Sequence, residues 1–281
     1  MATVTFFHAH PDDEAIATGG TMASLADEGH RVVLVTATRG ELGEVPDGFL
    51  GPGESLGERR TVELAEASAV LGVARQHLLG YHDSGMEGEE SNARDDVFAT
   101  ADTDEAAGRL AAVLVEEDSD VLVVYDEHGG YGHPDHVRVH DVGMAAADRA
   151  GTPVVYLTTM DRDVMAELRR RAVESGDGSD DEFEGADTMG EPASRITTEL
   201  DVSPWLSAKR AAMAAHASQI SEDSFFLSLP DDLFAEVWGR EWYIRVRPEP
   251  VGLGGGVREP GLLVSPDGAL AGGAARPGVS R

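Results

Sequence analysis

No cysteine occurs in the 281 residues, which excludes both disulfides and thiolate metal ligands. Lysine is nearly absent as well, with Lys209 the only one. Lys+Arg total 22 against 52 Asp+Glu, a formal net charge of -30, so the basic surface that nucleic-acid binding needs is missing. No apolar run approaches the roughly 20 residues of a membrane helix. The first residues carry no basic stretch followed by an apolar one. A cytoplasmic protein with neither membrane nor nucleic acid as partner is expected. A carboxylate-rich, lysine-poor surface suits a salt-rich cytoplasm, where screening offsets self-repulsion, so a halophilic protein is expected too.

What is present begins with His8-Ala9-His10-Pro11-Asp12-Asp13-Glu14. The run before it, Val4 to Phe7, is β-branched and aromatic and predicts a buried strand; Ala15 to Glu28 predicts a helix. Two carboxylates and an imidazole therefore sit where a strand hands over to a helix, the edge where open α/β sheets bind ligands. A second polar cluster, His133-Pro134-Asp135-His136, follows another strand-like run, Val121 to Tyr125. Further strands are predicted over Arg31 to Ala37, His77 to Leu79 and Val154 to Leu157, with helices over Leu56 to Leu71, Thr103 to Glu117 and Val137 to Arg149. Ser55 is placed to cap the first of these helices.

Alternating strands and helices predict a Rossmann-like α/β fold, a mostly parallel sheet flanked by helices. A strand order of 3-2-1-4-5 puts strands one and four side by side at the switch point and brings the two clusters together. One domain over 1–247 is expected, interrupted by an acidic, disordered insertion at 175–194 and followed by a low-complexity tail at 248–281. Thr197 to Val202 and Trp242 to Val246 predict two more strands, and Trp205 to Ser218 a helix. Glu87 to Asp102 is acidic and irregular, as in a lid, and Asp126 to Gly132 is flexible by composition.

Without thiolates, a metal must be held by His, Asp or Glu. His10, Asp13 and His136 are the candidate ligands, a two-His-one-carboxylate set that suits Zn²⁺ or Fe²⁺ and leaves an open position. Asp12 is then the candidate base for a water on that ion. His133, with Asp135 as orienting partner, is a candidate to be held protonated for the oxyanion or the leaving amine. Tyr131 offers a hydroxyl to the same oxyanion.

Simpler readings exist for each piece. A single His-Pro-Asp-Asp is often only a turn with a helix cap; two such clusters after two strands make that explanation weak. His8 is expected to pack or support rather than ligate, and His128 and His140 to be surface or supporting groups. His216 is balanced between helix packing and substrate contact. Arg59 and Arg60, in the first turns of a helix, read first as solvated surface groups and second as partners of an anion or carboxylate in the site. A metal-dependent sugar- or nucleotide-binding module without turnover is the alternative function, though binding alone needs neither Asp12 nor His133. A nucleotide-cofactor enzyme is disfavoured because no G-x-G-x-x-G follows the first strand.

At Ala9 to Glu14 and His133 to His136 the chain resembles the PIG-L/LmbE-like de-N-acetylase family. Lesser matches lie at Arg60 to Leu64, Asp83-Ser84-Gly85-Met86, Gly129 to Gly132 and Ala215 to Gln219, nearest to the mycothiol-pathway deacetylase and amidase branch. The resemblance spans about Val4 to Val246. It implies metal-dependent hydrolysis of an N-acetyl group on a small glucosamine-containing glycoconjugate, with zinc as the usual ion and iron as the other. It places the ligands at His10, Asp13 and His136, the base at Asp12, and the oxyanion and acid group at His133, Asp135 and Tyr131. It also implies sugar contacts from Arg60 and Asp83, which moves Arg60 off the surface.

Overall fold

In the computed structural model, which describes residues 1–175, 189–250 and 258–263, the first apolar run forms strand β1 (Thr3–His8). Alternation sends Val4 and Phe6 into an apolar cluster on one face and Phe7 into a second cluster on the other. Burial on both faces suits a central parallel strand. The other strands are β2 (Arg31–Thr36), β3 (Arg75–Leu78), β4 (Val121–Tyr125), β5 (Val154–Thr159), β6 (Thr198–Asp201) and β7 (Arg240–Arg247). Their order is β3-β2-β1-β4-β5-β7-β6, parallel through β5 and antiparallel at β7 and β6. The expected 3-2-1-4-5 order is therefore present, and Phe6 of β1 pairs with Val123 of β4.

The helices are α1 (Asp13–Ala17), α2 (Gly19–Asp27), α3 (Leu56–Val70), α4 (Thr103–Glu116), α5 (Gly129–Gly132), α6 (Pro134–Ala150), α7 (Arg162–Ser175), α8 (Leu206–Ala215), α9 (Phe225–Ser228) and α10 (Asp231–Trp238). From α2, α3 and α8, Met22, Leu64 and Met213 join Phe6. From α4 and α6, Leu110 and Val142 join Phe7 on the other face. Ser55 caps α3 as expected, within a reciprocal capping box with Glu58. Among the described residues no helix is long and apolar enough to cross a membrane.

Several elements differ from the sequence expectation. The single helix over Ala15 to Glu28 is two helices broken at Thr18, whose hydroxyl bonds His8 Nε2 at 2.9 Å. The second one starts afresh because the buried Glu241 carboxylate accepts the N–H groups of Gly20 and Thr21, both at 2.9 Å. Gly20 also packs where any Cβ would lie 2.5 Å from Val202. α6 starts at Pro134 rather than Val137, since proline is preorganised for a first helical position. α8 ends at Ala215, short of Ser218. α7 and α10 were not anticipated, and Glu87 to Asp102 is no simple lid, for Val97 and Phe98 are fully buried.

Residues 176–188 of the expected insertion, and 251–257 and 264–281 of the expected tail, lie outside the described residues. Within the segment expected to be tail, residues 258–263 have defined structure. Glu259 pairs with the buried Arg245 at 2.6 Å and takes a hydrogen bond from Thr198.

Candidate metal centre

The end of β1 turns sharply into α1. Asp12 adopts φ 109°, a left-handed conformation that strains a residue bearing a Cβ. That turn places Asp13 first in α1, with one oxygen toward each of two imidazoles: Oδ2 is 3.6 Å from His10 Nδ1 and Oδ1 is 3.4 Å from His136 Nε2. Oδ2 also accepts the His10 N–H at 2.8 Å.

His136 comes from the neighbouring strand end. After β4, the buried Asp126 accepts the N–H groups of His128 and Gly130 at 3.1 and 2.9 Å and the Thr159 hydroxyl at 2.7 Å. This pinning converts a stretch that looks flexible by composition into the short turn α5. His133 then caps α6, accepting the Asp135 N–H on Nδ1 at 3.1 Å. Asp135 and His136 consequently fall in the first helical turn, buried and facing the end of β1. The Tyr125 ring stacks on His136 at 4.5 Å and 6°.

All nine residues singled out in the sequence meet here, several with partners other than those expected. Nitrogens of His10, His133 and His136 lie within 4.8 Å of one another. The Asp135 carboxylate does not orient His133. It accepts the Ser84 N–H at 3.0 Å and lies 3.2 Å from His10 Nε2, because α6 starts at Pro134 and turns that side chain toward β1. Asp83 Oδ1 lies 2.9 Å from the same nitrogen, and Oδ2 accepts the Leu42 N–H. Arg60 is 4 % exposed, not a solvated surface group. Its guanidinium donates to Pro11 O and to Gly40 O, and Nη2 lies 3.2 Å from Asp12 Oδ2. Tyr131 is half exposed at the rim, its ring 4.8 Å from that of His136.

The electrostatics follow from burial and close charges. Burial, aided by the Asp13 charge and opposed by Arg60, pushes the Asp12 carboxyl up to about 6. Burial acts on Asp13 in the same sense, but His136 and His10 overcome it and hold that carboxyl well below the ordinary range. His10 is pulled well up against its burial by Asp135 and Asp83. Burial and the neighbouring His10 push His133 down to about 4; its Nδ1 accepts the Asp135 N–H, which leaves Nε2 as the nitrogen that carries a proton. Burial and Asp13 push the Tyr131 phenol up, so it stays a donor.

The side chains fit a divalent cation. His136 Nε2 is buried without a hydrogen-bond partner and faces Asp13 Oδ1, and imidazole with carboxylate is a donor set for Zn²⁺ or Fe²⁺. A further cluster, Glu127, His128 and Glu191, is already served by Arg195 Nη1, 2.7 Å from both carboxylates.

Sequence reasoning did not single out Tyr125 or Asp126, or a role for Glu14. Glu14 ends the first motif and is fully buried against His216, which itself packs away from solvent. Tyr125 and Asp126 carried one readable signal, an aromatic and a polar residue at the end of β4, whereas Glu14 lies inside α1 and shows its role only through its burial against His216.

A family profile described as GlcNAc-PI de-N-acetylase matches residues 5–147. A Thermobispora bispora protein named 1D-myo-inositol 2-acetamido-2-deoxy-alpha-D-glucopyranoside deacetylase is 40% identical over 285 residues, covering 90% of this chain and 93% of its own. One of the same name from Streptomyces avermitilis is 42% identical over 267 residues, covering 86% and 91%. The N,N'-diacetylchitobiose deacetylase structure from Pyrococcus horikoshii superposes with a TM-score of 0.56 at 18% identity, covering 89% and 87%, a likeness that carries the fold alone. With its strand order, its two motifs in contact and relatives at this identity over most of the length, the chain belongs to the GlcNAc-PI de-N-acetylase (PIG-L) family.

Proposed function

We propose that the protein is a metal-dependent amide hydrolase that removes the N-acetyl group from a small N-acetylglucosamine-containing glycoconjugate. The observation that carries this reading is the Asp13 carboxylate, one oxygen toward His10 and the other toward His136, with the Asp12 carboxylate next in the chain and anchored by Arg60. The named substrate of the relatives, 1D-myo-inositol 2-acetamido-2-deoxy-alpha-D-glucopyranoside, is the first compound to test.

In this reading His10, Asp13 and His136 hold the ion, zinc or iron(II). When bound, such an ion lowers the pKa of a coordinated water toward about 7 and polarises the acyl oxygen. Asp12, held near 6, takes the proton of the attacking water and passes it to the leaving nitrogen, so that acetate and the free amine result. His133, neutral with its proton on Nε2, and the Tyr131 hydroxyl donate to the acyl oxygen as charge develops there. Asp83 and Asp135 grip His10 through Nε2 and fix which of its nitrogens faces Asp13.

Acetate release is the test, measured on N-acetylglucosaminyl compounds in high salt, with chelator and with zinc or iron added back. Chelator should abolish turnover, and Asp12→Asn should retain metal while losing about 10²–10⁴ in kcat. Turnover that ignores the chelator removes the ion from the reaction. Ligand binding without acetate release leaves a binding module.

A further inference from the structure

Two fully buried ionisable groups behind the centre have no part in that chemistry: Glu14 in α1, and His216 at the C-terminal end of α8. They are 202 residues apart, yet His216 Nε2 lies 2.6 Å from Glu14 Oε1. The other oxygen, Oε2, accepts the backbone N–H of Asp12 at 3.0 Å. His216, Glu14 and the Asp12 backbone therefore form one connected line.

The line ends on the strained residue. A non-glycine residue at φ 109° is strained and persists only where its surroundings over-determine it. Glu14 fixes Asp12 at its N–H, the first turn of α1 fixes its carbonyl through Ala15 N and Ile16 N, and Arg60 fixes its carboxylate. Glu14 is a buried acceptor whose Oε1 is satisfied by His216 Nε2 at 2.6 Å, so loss of that contact leaves a buried carboxyl oxygen unpaired and frees the side chain that holds the Asp12 N–H. His216 is itself immobilised. Ser218 donates to Glu63 through N and Oγ at 2.9 and 2.6 Å, and Gln219 Nε2 donates to Glu44 O. The Ala215 to Gln219 motif is thus a clamp joining α8 to α3 and to the loop after β2.

We infer that His216 is a positioning residue for Asp12, acting through Glu14 to hold the backbone turn that presents the Asp12 carboxylate. This rests on the reading of Asp12 as the base.

The variants His216→Phe and His216→Gln separate this role from simple packing. Phenylalanine keeps a ring but removes the donor, whereas the glutamine amide nitrogen falls near the former Nε2. On an N-acetylglucosaminyl substrate, H216F should lower kcat about tenfold or more, the scale of a small misplacement of a reacting group. KM should stay within about twofold, and metal per chain by elemental analysis should not change. H216Q should recover most of kcat. In an Asp12→Asn background H216F should add no further loss. Parental kcat in H216F, a loss that follows metal content, or the same fold-loss with and without Asp12 overturns the inference. If H216F does not fold, H216Q is compared with His216→Asn, whose shorter amide stops short of Glu14. Activity in the glutamine variant alone supports the role; equal kcat in both overturns it. Full activity in Asp12→Asn alone instead sinks the base assignment and is seen independently of any change at His216.

Discussion

Arg60 Nη2 lies 3.2 Å from Asp12 Oδ2, and the same guanidinium donates to the carbonyls of Pro11 and Gly40. One planar group thus ties α3 to the end of β1 and to the loop after β2. Lysine carries the charge but has no rigid fork to satisfy three acceptors. Arg60→Lys is expected to cost about 10–100-fold in kcat through misplacement of Asp12, with metal content preserved. Parental kcat in this variant would show that the contact is incidental.

Gly40 is wrapped onto that guanidinium. It sits at φ 64°, and a Cβ there would lie 2.2 Å from Arg60 Nη1. Gly40→Ala combines backbone strain with a steric push on a buried charged group, and a destabilisation of about 1–3 kcal/mol is expected. Denaturant titration against the parent reads it directly; an unchanged midpoint rejects the account.

His136→Ala removes an imidazole whose Nε2 has no other partner. Loss of groups that merely support a ligand weakens metal affinity about 10–100-fold, and loss of a ligand should exceed that. Competition against a chelating dye measures it. Unaltered affinity would transfer the ligand role to His133, the third imidazole of the cluster.

Glu117 takes hydrogen bonds from Arg31 at 2.6 Å and His77 at 2.9 Å. Burial alone would raise its carboxyl, but Arg31 and His77 outweigh it and hold the value low. A lowered folded pKa means stability present above the unfolded value, roughly 4.3, and lost as pH falls through the folded one. Because the Arg31 side chain is 37% exposed, Glu117→Gln should cost only on the order of 1 kcal/mol at neutral pH, about 2–4 °C in Tm. The gap to the parent should close in acid. A gap that stays constant with pH would assign the effect to packing.

The net charge of -30 predicts salt-dependent stability. Raising salt from about 0.1 M to 1 M shortens the screening length from about 10 Å to 3 Å. Thermal unfolding should move upward over that range and fail to show a folded baseline in dilute buffer. A Tm indifferent to salt would remove the halophilic reading.

The amino-acid order alone determined the run of strands and helices, and with it a mostly parallel sheet, because these rest on short-range pattern: apolar runs of strand length, caps, and polar residues at strand ends; the strand order that brings the two motifs together was an expectation that the tertiary structure met. Ser55 and the run Val121 to Tyr125 are cases in point. Only the tertiary structure decided how the polar groups pair. Arg60 turns inward to Asp12, Asp135 turns to His10 instead of His133, and Glu14 meets a histidine from the far end of the chain. Sequence separation carries no information about which buried donor faces which buried acceptor. That choice is made when desolvation leaves each charge only the partners that packing has brought within reach.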